Sequence, residues 1–127
     1  MADSGGPIVV LGGGSTGEAF AAALRRLDGD LPITLVEREL LGGECTYWAC
    51  MPSKTLLRPL EVLAAARRAP GAAEALNGQP DWKRLLWWRD RVTDELDDSS
   101  HEKWLADRGI DLVRGAGRLV SPGLLRV

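Results

Sequence analysis

Residues 7–17, PIVVLGGGSTG, decide the fold of this chain. The run 7–11 is short and continuously apolar, which is typical of a parallel strand buried on both faces. Residues 18–27 are rich in Ala and Leu and predict a helix that ends near Asp28-Gly29. A strand, a glycine-rich turn and a helix in this order are typical of a dinucleotide-binding fold. Between strand and helix the chain fits G-x-G-x-x-G at Gly12, Gly14 and Gly17.

A second apolar run, 32–36, predicts a second strand, and Glu37 follows it twenty residues after Gly17. At this spacing a carboxylate binds the ribose hydroxyls of a dinucleotide. The first glycine permits the tight turn, the second lets the backbone approach a pyrophosphate, and the third allows close helix–strand packing. The helix N-terminus then faces the phosphates. The nucleotide-binding candidates are therefore Gly12, Gly14, Ser15, Thr16, Gly17, Glu37 and Arg38.

Residues 42–54, GGECTYWACMPSK, hold both cysteines of the chain, Cys45 and Cys50. Five steps along a regular helix separate Cα atoms by about 7.5 Å, which exceeds the roughly 7 Å limit for a disulfide. A bridge here therefore requires a loop or a distorted first turn, and Gly42-Gly43 permit one. Pro52 suits the first turn of a following helix, so Cys50 is predicted at a helix N-terminus, where a thiolate is favoured. The two thiols are thus predicted to be unequal, as in a dithiol carrier.

This segment resembles the redox-disulfide signature of the FAD-dependent pyridine nucleotide–disulfide oxidoreductases, which usually reads GG-T-C-x-N-x-G-C-x-P-S-K. The cysteine spacing and the C-x-P-S-K ending are intact, whereas Glu44, Tyr47 and Ala49 depart from the usual residues. The resemblance implies an α/β fold, a Rossmann-like FAD-binding domain with an incomplete parallel sheet and the start of a small antiparallel meander.

The same resemblance implies roles for individual residues. Cys50 would lie against the flavin as the charge-transfer thiolate, and Cys45 would exchange with the substrate. Lys54 would stabilise negative charge on the reduced flavin, and the backbone at Gly115-Ala116 would border the adenine. The resemblance therefore adds to the cofactor-binding candidates Gly43, Glu44, Cys45, Lys54, Gly115 and Ala116.

The implied reaction passes electrons from NAD(P)H through FAD to the Cys45–Cys50 disulfide and on to a small disulfide or similar acceptor. Full-length family members are expected to be homodimers, but this chain has no second G-x-G-x-x-G and no segment matching the C-terminal dimerisation domain. We therefore expect a truncated protein, a fragment, or a split protein whose partner chain supplies the remaining domains. The first strand would then have one bare edge, prone to aggregation or pairing.

Two alternatives stay open: a non-catalytic remnant or interaction module, and a stand-alone dinucleotide binder with incidental cysteines.

The remainder is expected to form one domain, 1–127, with a helical excursion at about 52–108. Within the excursion, a helix is predicted over 52–68 with a kink at Pro59. Asp81 is the predicted N-cap of a helix that reaches Leu96. A loop or short helix is predicted at 72–79, a helix at 101–108, a strand at 110–113, and a hairpin of 118–120 with 124–127.

Composition limits the class of protein. The chain has 127 residues, 45% hydrophobic residues and a net charge of −2, so no basic excess indicates nucleic acid. It shows no signal peptide and no apolar run of membrane-spanning length, so the cytoplasm is the expected compartment. A structural zinc site takes four ligands, and two cysteines with one histidine, His101, make zinc the weaker interpretation. We expect His101 on a helix surface, and Trp82, Trp87, Trp88 and Trp104 in a core or interface.

Overall fold

The computed structural model describes residues 6–127, which form two compact units. The first unit extends to Gly43 and resumes with Asp97–Val127, and the second is Glu44–Leu96. The strands are β1 (Ile8–Leu11), β2 (Ile33–Glu37), β3 (Asp111–Arg114), β4 (Arg118–Ser121) and β5 (Leu124–Arg126). The helices are α1 (Ser15–Leu27), α2 (Gly43–Tyr47), α3 (Cys50–Arg67), α4 (Trp82–Val92) and α5 (Ser99–Ala106).

The first unit is built on a parallel sheet in the order β1-β2-β3. Val10 of β1 is opposite Leu35 of β2, which is in turn opposite Leu112 of β3. β4 and β5 pair antiparallel as the predicted hairpin. Parallel strands joined by helices are the arrangement of a Rossmann-like domain, so the predicted fold class is confirmed.

The core of the first unit lies where α1 and α5 cover the sheet. The buried residues in contact there are Val10, Ala21, Ile33, Leu35, Leu41, Leu105 and Ile110. The prediction that the first strand is buried on both faces is wrong, because Val9 and Leu11 remain 42% and 55% exposed. Within the described sheet β1 pairs with β2 alone, and its alternate side chains face away from the core.

Two helices differ in extent from the sequence prediction. α1 begins at Ser15 rather than Glu18, so the glycine turn is tighter than expected. The helix capped by Asp81 ends at Val92, four residues before the predicted end, and a 3₁₀ turn follows at Asp94–Leu96. All three residues of that turn have positive φ angles, between 51° and 66°, which ends the right-handed helix.

The second unit is a helical pair in which α3 packs against α4. Asp81 caps α4 as predicted, since its carboxylate accepts from the backbone N–H groups of Lys83 and Arg84 at 2.9 and 3.2 Å. Pro59 lies inside α3, and a short 3₁₀ turn at Ala73–Ala75 follows it.

The predicted excursion, about 52–108, overlaps this unit without coinciding with it. The unit begins at Glu44, and α5 belongs to the first unit, where Leu105 is in the core. None of the helices described in residues 6–127 combines the length and apolarity that crossing a bilayer requires.

Candidate functional site

The glycine turn after β1 is fixed by backbone contacts that leave no room for side chains. A Cβ atom on Gly17 would lie 1.9 Å from the carbonyl oxygen of Gly12, so only glycine fits where α1 passes the turn. Gly12 itself has a φ of +102°, a conformation that favours glycine. A Cβ built on Gly12 meets no atom within 4 Å, so its backbone is open to a ligand. Gly12 and Gly17 thus have the backbone geometry that the sequence predicts for the glycine turn.

The N-terminus of α1 presents its first backbone N–H groups without a side-chain cap. Gly14 occupies the N-cap position and has no side-chain oxygen to offer. Ser15 and Thr16 form the first turn and are exposed. Free N–H groups and the helix dipole give this end of the helix a partial positive charge.

Glu37 lies at the end of β2, and its carboxylate faces the glycine turn. Oε2 accepts a hydrogen bond from the Gly13 backbone N–H at 2.6 Å, and Oε1 accepts from the Glu39 N–H at 2.7 Å. The carboxylate therefore holds the turn in place and keeps further lone pairs for ligand hydroxyl groups. Arg38 is exposed and pairs with Glu39 at 3.2 Å, so the structure places no Arg38 contact on the turn.

A pocket of about 310 Å³ opens beside Glu37. Its lining combines residues that are distant in the sequence but all belong to the first unit. They are Leu11, Gly12, Val36, Glu37, Arg38, Gly115, Ala116, Gly117 and Arg118. The Gly115 N–H donates to the Glu37 carbonyl at 2.9 Å, which fixes one wall. The structure thus brings the predicted ribose and adenine residues together in one pocket.

Gly43 belongs to a close approach between two backbones. Gly42 N–H donates to the Gly13 carbonyl at 2.8 Å, and a Cβ on Gly43 would lie 2.8 Å from the Gly14 Cα. Since Gly43 also has a φ of +73°, a side chain there is both strained and obstructed. Gly43, the second residue of the 42–54 segment, therefore packs directly against Gly14 of the glycine turn.

Cys45 and Cys50 are free thiols carried on separate helices. Cys45 lies in α2, which ends at Tyr47, and Cys50 is the first residue of α3. The break between the helices is the departure from regular helix that the spacing predicts. It brings the sulfur atoms within hydrogen-bonding reach of one another.

The surroundings of Cys45 shift its pKa in one direction. The hydrogen bond from Cys45 to Cys50 is the main cause that raises the pKa of Cys45 above its ordinary value, with partial desolvation and the charge of Cys50 acting in the same direction. The Cys50 backbone N–H and the positive charge of Lys54 oppose that rise in the pKa of Cys45. The Cys45 thiol therefore loses its proton at higher pH than an ordinary thiol, and Cys50 lies at the N-terminus of an 18-residue helix.

The two charged candidates near the cysteines are both exposed. Lys54 lies in the first turns of α3, and the structure supports an electrostatic effect on Cys45. Glu44 lies in α2, where its carbonyl accepts the N–H groups of Trp48 and Ala49 at 2.8 and 2.7 Å. Its backbone thus closes the turn between the helices.

Sequence reasoning missed a partly buried polar cluster, which we call the Asp98 cluster: Asp98, Arg114, Glu102 and Leu41. Asp98 Oδ2 accepts from Leu41 N–H and from Arg114 Nη2, each at 2.7 Å, and Arg114 Nη2 also reaches Glu102 Oε1 at 2.5 Å. Burial alone would lower the pKa of Arg114, but the bonds to Glu102 and Asp98 outweigh it and raise that pKa. No local sequence pattern predicts this cluster, because its members come from three separate segments of the chain.

His101 lies on helix α5 with its side chain 29% exposed, as expected, and its Nδ1 lies 2.7 Å from Glu18 Oε1. Trp104 packs against the core of the first unit. Trp82, Trp87 and Trp88 are not core residues, since 61%, 51% and 49% of their surfaces are exposed.

The fold is that of a Rossmann-like domain. Residues 6–124 match the family model described as pyridine nucleotide-disulphide oxidoreductase. The chain belongs to this family of FAD-dependent oxidoreductases, as the cysteine segment predicts.

Named relatives agree with this assignment. Dihydrolipoyl dehydrogenase 2 of Haloarcula marismortui is 33% identical over 124 residues, which cover 98% of this chain and 26% of the relative. A mercuric reductase of Staphylococcus aureus is 29% identical over 115 residues, covering 90% of this chain and 21% of the relative. The chain thus spans about a quarter of the length of these relatives.

A solved structure supports the fold independently. The HOCl-induced flavoprotein disulfide reductase RclA from Escherichia coli superimposes with a TM-score of 0.71. The match covers 96% of this chain and 24% of that one, at 23% identity. At this identity the likeness shows the fold alone.

Proposed function

We propose that this chain is the FAD-binding N-terminal portion of a disulfide oxidoreductase that uses Cys45 and Cys50 as its redox pair. In the complete reaction, bound FAD would supply two-electron transfer from NAD(P)H to the Cys45–Cys50 disulfide, which passes the electrons to a disulfide-type substrate. The observation that carries this proposal is the placement of two free thiols on either side of the break between α2 and α3, with Cys50 as the first residue of α3.

The residues of the first unit fit the adenosine diphosphate half of FAD. The pocket of about 310 Å³ falls within the range of small-molecule sites. Gly12 leaves its backbone open where a ligand would approach, and the uncapped N-terminus of α1 offers N–H groups to phosphates. Glu37 would bind the ribose hydroxyls, and the backbone of Gly115-Ala116 would border the adenine.

The cysteines would carry out the chemistry of exchange. In the reduced chain, Cys45 loses its proton and its sulfur attacks one sulfur of the substrate disulfide, releasing one thiol and forming a mixed disulfide. Cys50 then attacks the Cys45 sulfur, releases the second thiol and closes the Cys45–Cys50 disulfide. Lys54 would assist the first step, because its charge opposes the rise in the pKa of Cys45.

The test is a visible absorption spectrum of the purified chain titrated first with FAD and then with dithiothreitol. We expect bound flavin absorbance and, after reduction, a long-wavelength charge-transfer band that disappears in Cys50→Ser. Cys45→Ser serves as the matched control, because it removes the other thiol and leaves Cys50 in place, so its band should persist. A folded, monodisperse chain that binds no FAD would rule out catalysis by this chain.

A second candidate function is a non-catalytic module that keeps the fold and binds another protein. The exposure of Trp82, Trp87 and Trp88 on α4 favours it, since exposed aromatic residues are typical of interfaces. This candidate predicts that the chain shows no charge-transfer band after reduction, so that Cys50→Ser leaves its visible absorption spectrum unchanged.

A further inference from the structure

The second unit contains a pocket of about 600 Å³ that is lined in part by Tyr47, Trp48 and Pro52, close neighbours of Cys45 and Cys50 in the sequence. Its lining is drawn from the turn between the cysteines, from the start of α3 and from the C-terminal half of α4 with the turn that follows. The lining residues are Tyr47, Trp48, Pro52, Trp87, Arg89, Asp90, Thr93, Glu95 and Leu96. Trp48 lies between Cys45 and Cys50 in the sequence, and Pro52 follows Cys50 by two residues.

The pocket offers a ligand mainly apolar surface. Trp48, Trp87 and Leu96 are 53%, 51% and 41% exposed, so their side chains are accessible although large and apolar. Exposed aromatic rings that line a concavity of this size are typical of sites for apolar or aromatic small molecules.

The polar groups of the lining are bonded within the unit. Arg89 binds Asp90 Oδ1 through Nε and Nη2 at 2.8 and 2.5 Å. The hydroxyl of Thr93, a buried residue, donates back to helix carbonyls at 3.1 and 3.2 Å. Glu95 pairs with Arg91 at 3.4 Å. These groups already have hydrogen-bond partners within the unit. Hydrogen bonds from a ligand to them therefore contribute less to its binding than contact with the aromatic rings.

The charges of the lining disfavour an anionic ligand. Among the nine lining residues, all within the described part of the chain, Arg89 is the one cation and Asp90 and Glu95 are anions. A negatively charged ligand would therefore meet two carboxylates and an arginine that is already paired.

We propose that this pocket binds the electron acceptor and selects neutral disulfides that carry aromatic groups. The proposal rests on the proposed exchange role of Cys45 and Cys50 and names the substrate class for that role. The acceptor's ring lies against Trp48 and Trp87, and its disulfide reaches the exposed Cys45 thiol, which precedes Trp48 by three residues in the sequence. The exchange consumes one acceptor disulfide and yields two aromatic thiols and the Cys45–Cys50 disulfide, so two electrons leave the dithiol for each acceptor reduced.

The test is a single-turnover, stopped-flow measurement with the pre-reduced chain, free of reductant and without FAD. Three oxidants serve as probes: dithiodipyridine, which is neutral and aromatic, dithiobis(nitrobenzoate), which is aromatic and dianionic, and hydroxyethyl disulfide, which is neutral and aliphatic. We expect Trp87→Ala to lower the second-order rate constant for dithiodipyridine about tenfold, the loss of one aromatic contact. The rate constants for the other two oxidants should change by less than about twofold.

Two variants keep this result interpretable. Trp87→Phe retains a ring and should restore most of the rate with dithiodipyridine. Trp82→Ala removes an equally exposed tryptophan from the same helix but outside the pocket, so it should change no rate constant. The proposal is overturned if Trp87→Ala slows all three oxidants equally or none of them, or if Trp82→Ala has the same effect.

The outcome is separable from that of the proposed function. Failure of the chain to bind FAD leaves these rate constants measurable, because the exchange uses the dithiol alone. Conversely, a chain that binds FAD but shows no aromatic preference retains the proposed function and loses this inference.

Discussion

Cys45 and Cys50 have the same side chain but different surroundings, because Cys45 lies in α2 and Cys50 is the first residue of α3. Cys45 donates its S–H to Cys50, and that bond is what holds its pKa above the ordinary value. The positive charge of Lys54 acts the other way. Both sulfur atoms lie within one short segment, so this asymmetry is a local property of the turn between α2 and α3.

The pH dependence of Cys45 alkylation follows from this bond. A raised pKa means that the thiol stays protonated and unreactive to higher pH, so alkylation by iodoacetamide should reach half its maximal rate above the ordinary thiol value. Cys50→Ala removes the acceptor and the neighbouring charge, and the half-maximal point should shift to lower pH. Lys54→Gln should shift it to higher pH. Rate–pH profiles from mass spectrometry would measure both shifts. A profile that does not move in Cys50→Ala would show that Cys50 does not raise the pKa of Cys45.

Helices and strands of the first unit are joined by the Asp98 cluster. Arg114, the last residue of β3, donates to the Glu39 carbonyl at 2.7 Å as well as to Asp98. Asp98 precedes α5, and its carboxylate accepts a hydrogen bond from the Leu41 N–H. Asp98 is therefore bonded both to β3 and to the segment that follows β2. That segment, 38–41, connects Glu37, which lines the pocket of about 310 Å³, to Gly42 and Gly43 beside the glycine turn.

Asp98→Asn should therefore lower the free energy of unfolding by about 2 kcal/mol, since a mostly buried carboxylate is lost from two hydrogen bonds. The partial exposure of Arg114 keeps the cost below that of a fully buried pair. Asp107→Asn, which removes an exposed partner of Lys103 at the end of the same helix, is the control. It should cost no more than about 1 kcal/mol. Urea denaturation measures both, and equal costs would show that the cluster has no special role.

The molecule as a whole should be stabilised by a ligand that binds the native first unit. Adenosine diphosphate at about 100 times its dissociation constant should raise the free energy of unfolding by about 2.7 kcal/mol. Gly17→Ala should abolish this shift, because its Cβ would lie 1.9 Å from the Gly12 carbonyl oxygen and displace the turn. Gly29→Ala, where no atom lies within 4 Å of the added Cβ, should keep it. Thermal unfolding with and without ligand provides the measurement, and a shift retained in Gly17→Ala would place the ligand elsewhere.

The sequence by itself determined the elements and the family. The apolar runs, the glycine spacing, Glu37, the Asp81 cap and the two cysteines each act within a short stretch, where local geometry follows directly from residue type. The family model matches the chain as that reasoning predicts.

Only the tertiary structure decided which distant side chains meet. The Leu41–Asp98 and Arg114–Glu39 bonds join residues 57 and 75 positions apart, and Glu18 and His101 are 83 apart. The exposure of Val9 and of the α4 tryptophans was likewise decided by what packs beside them. Periodicity and propensity report what one segment prefers, whereas burial and long-range pairing depend on the packing of segments against one another.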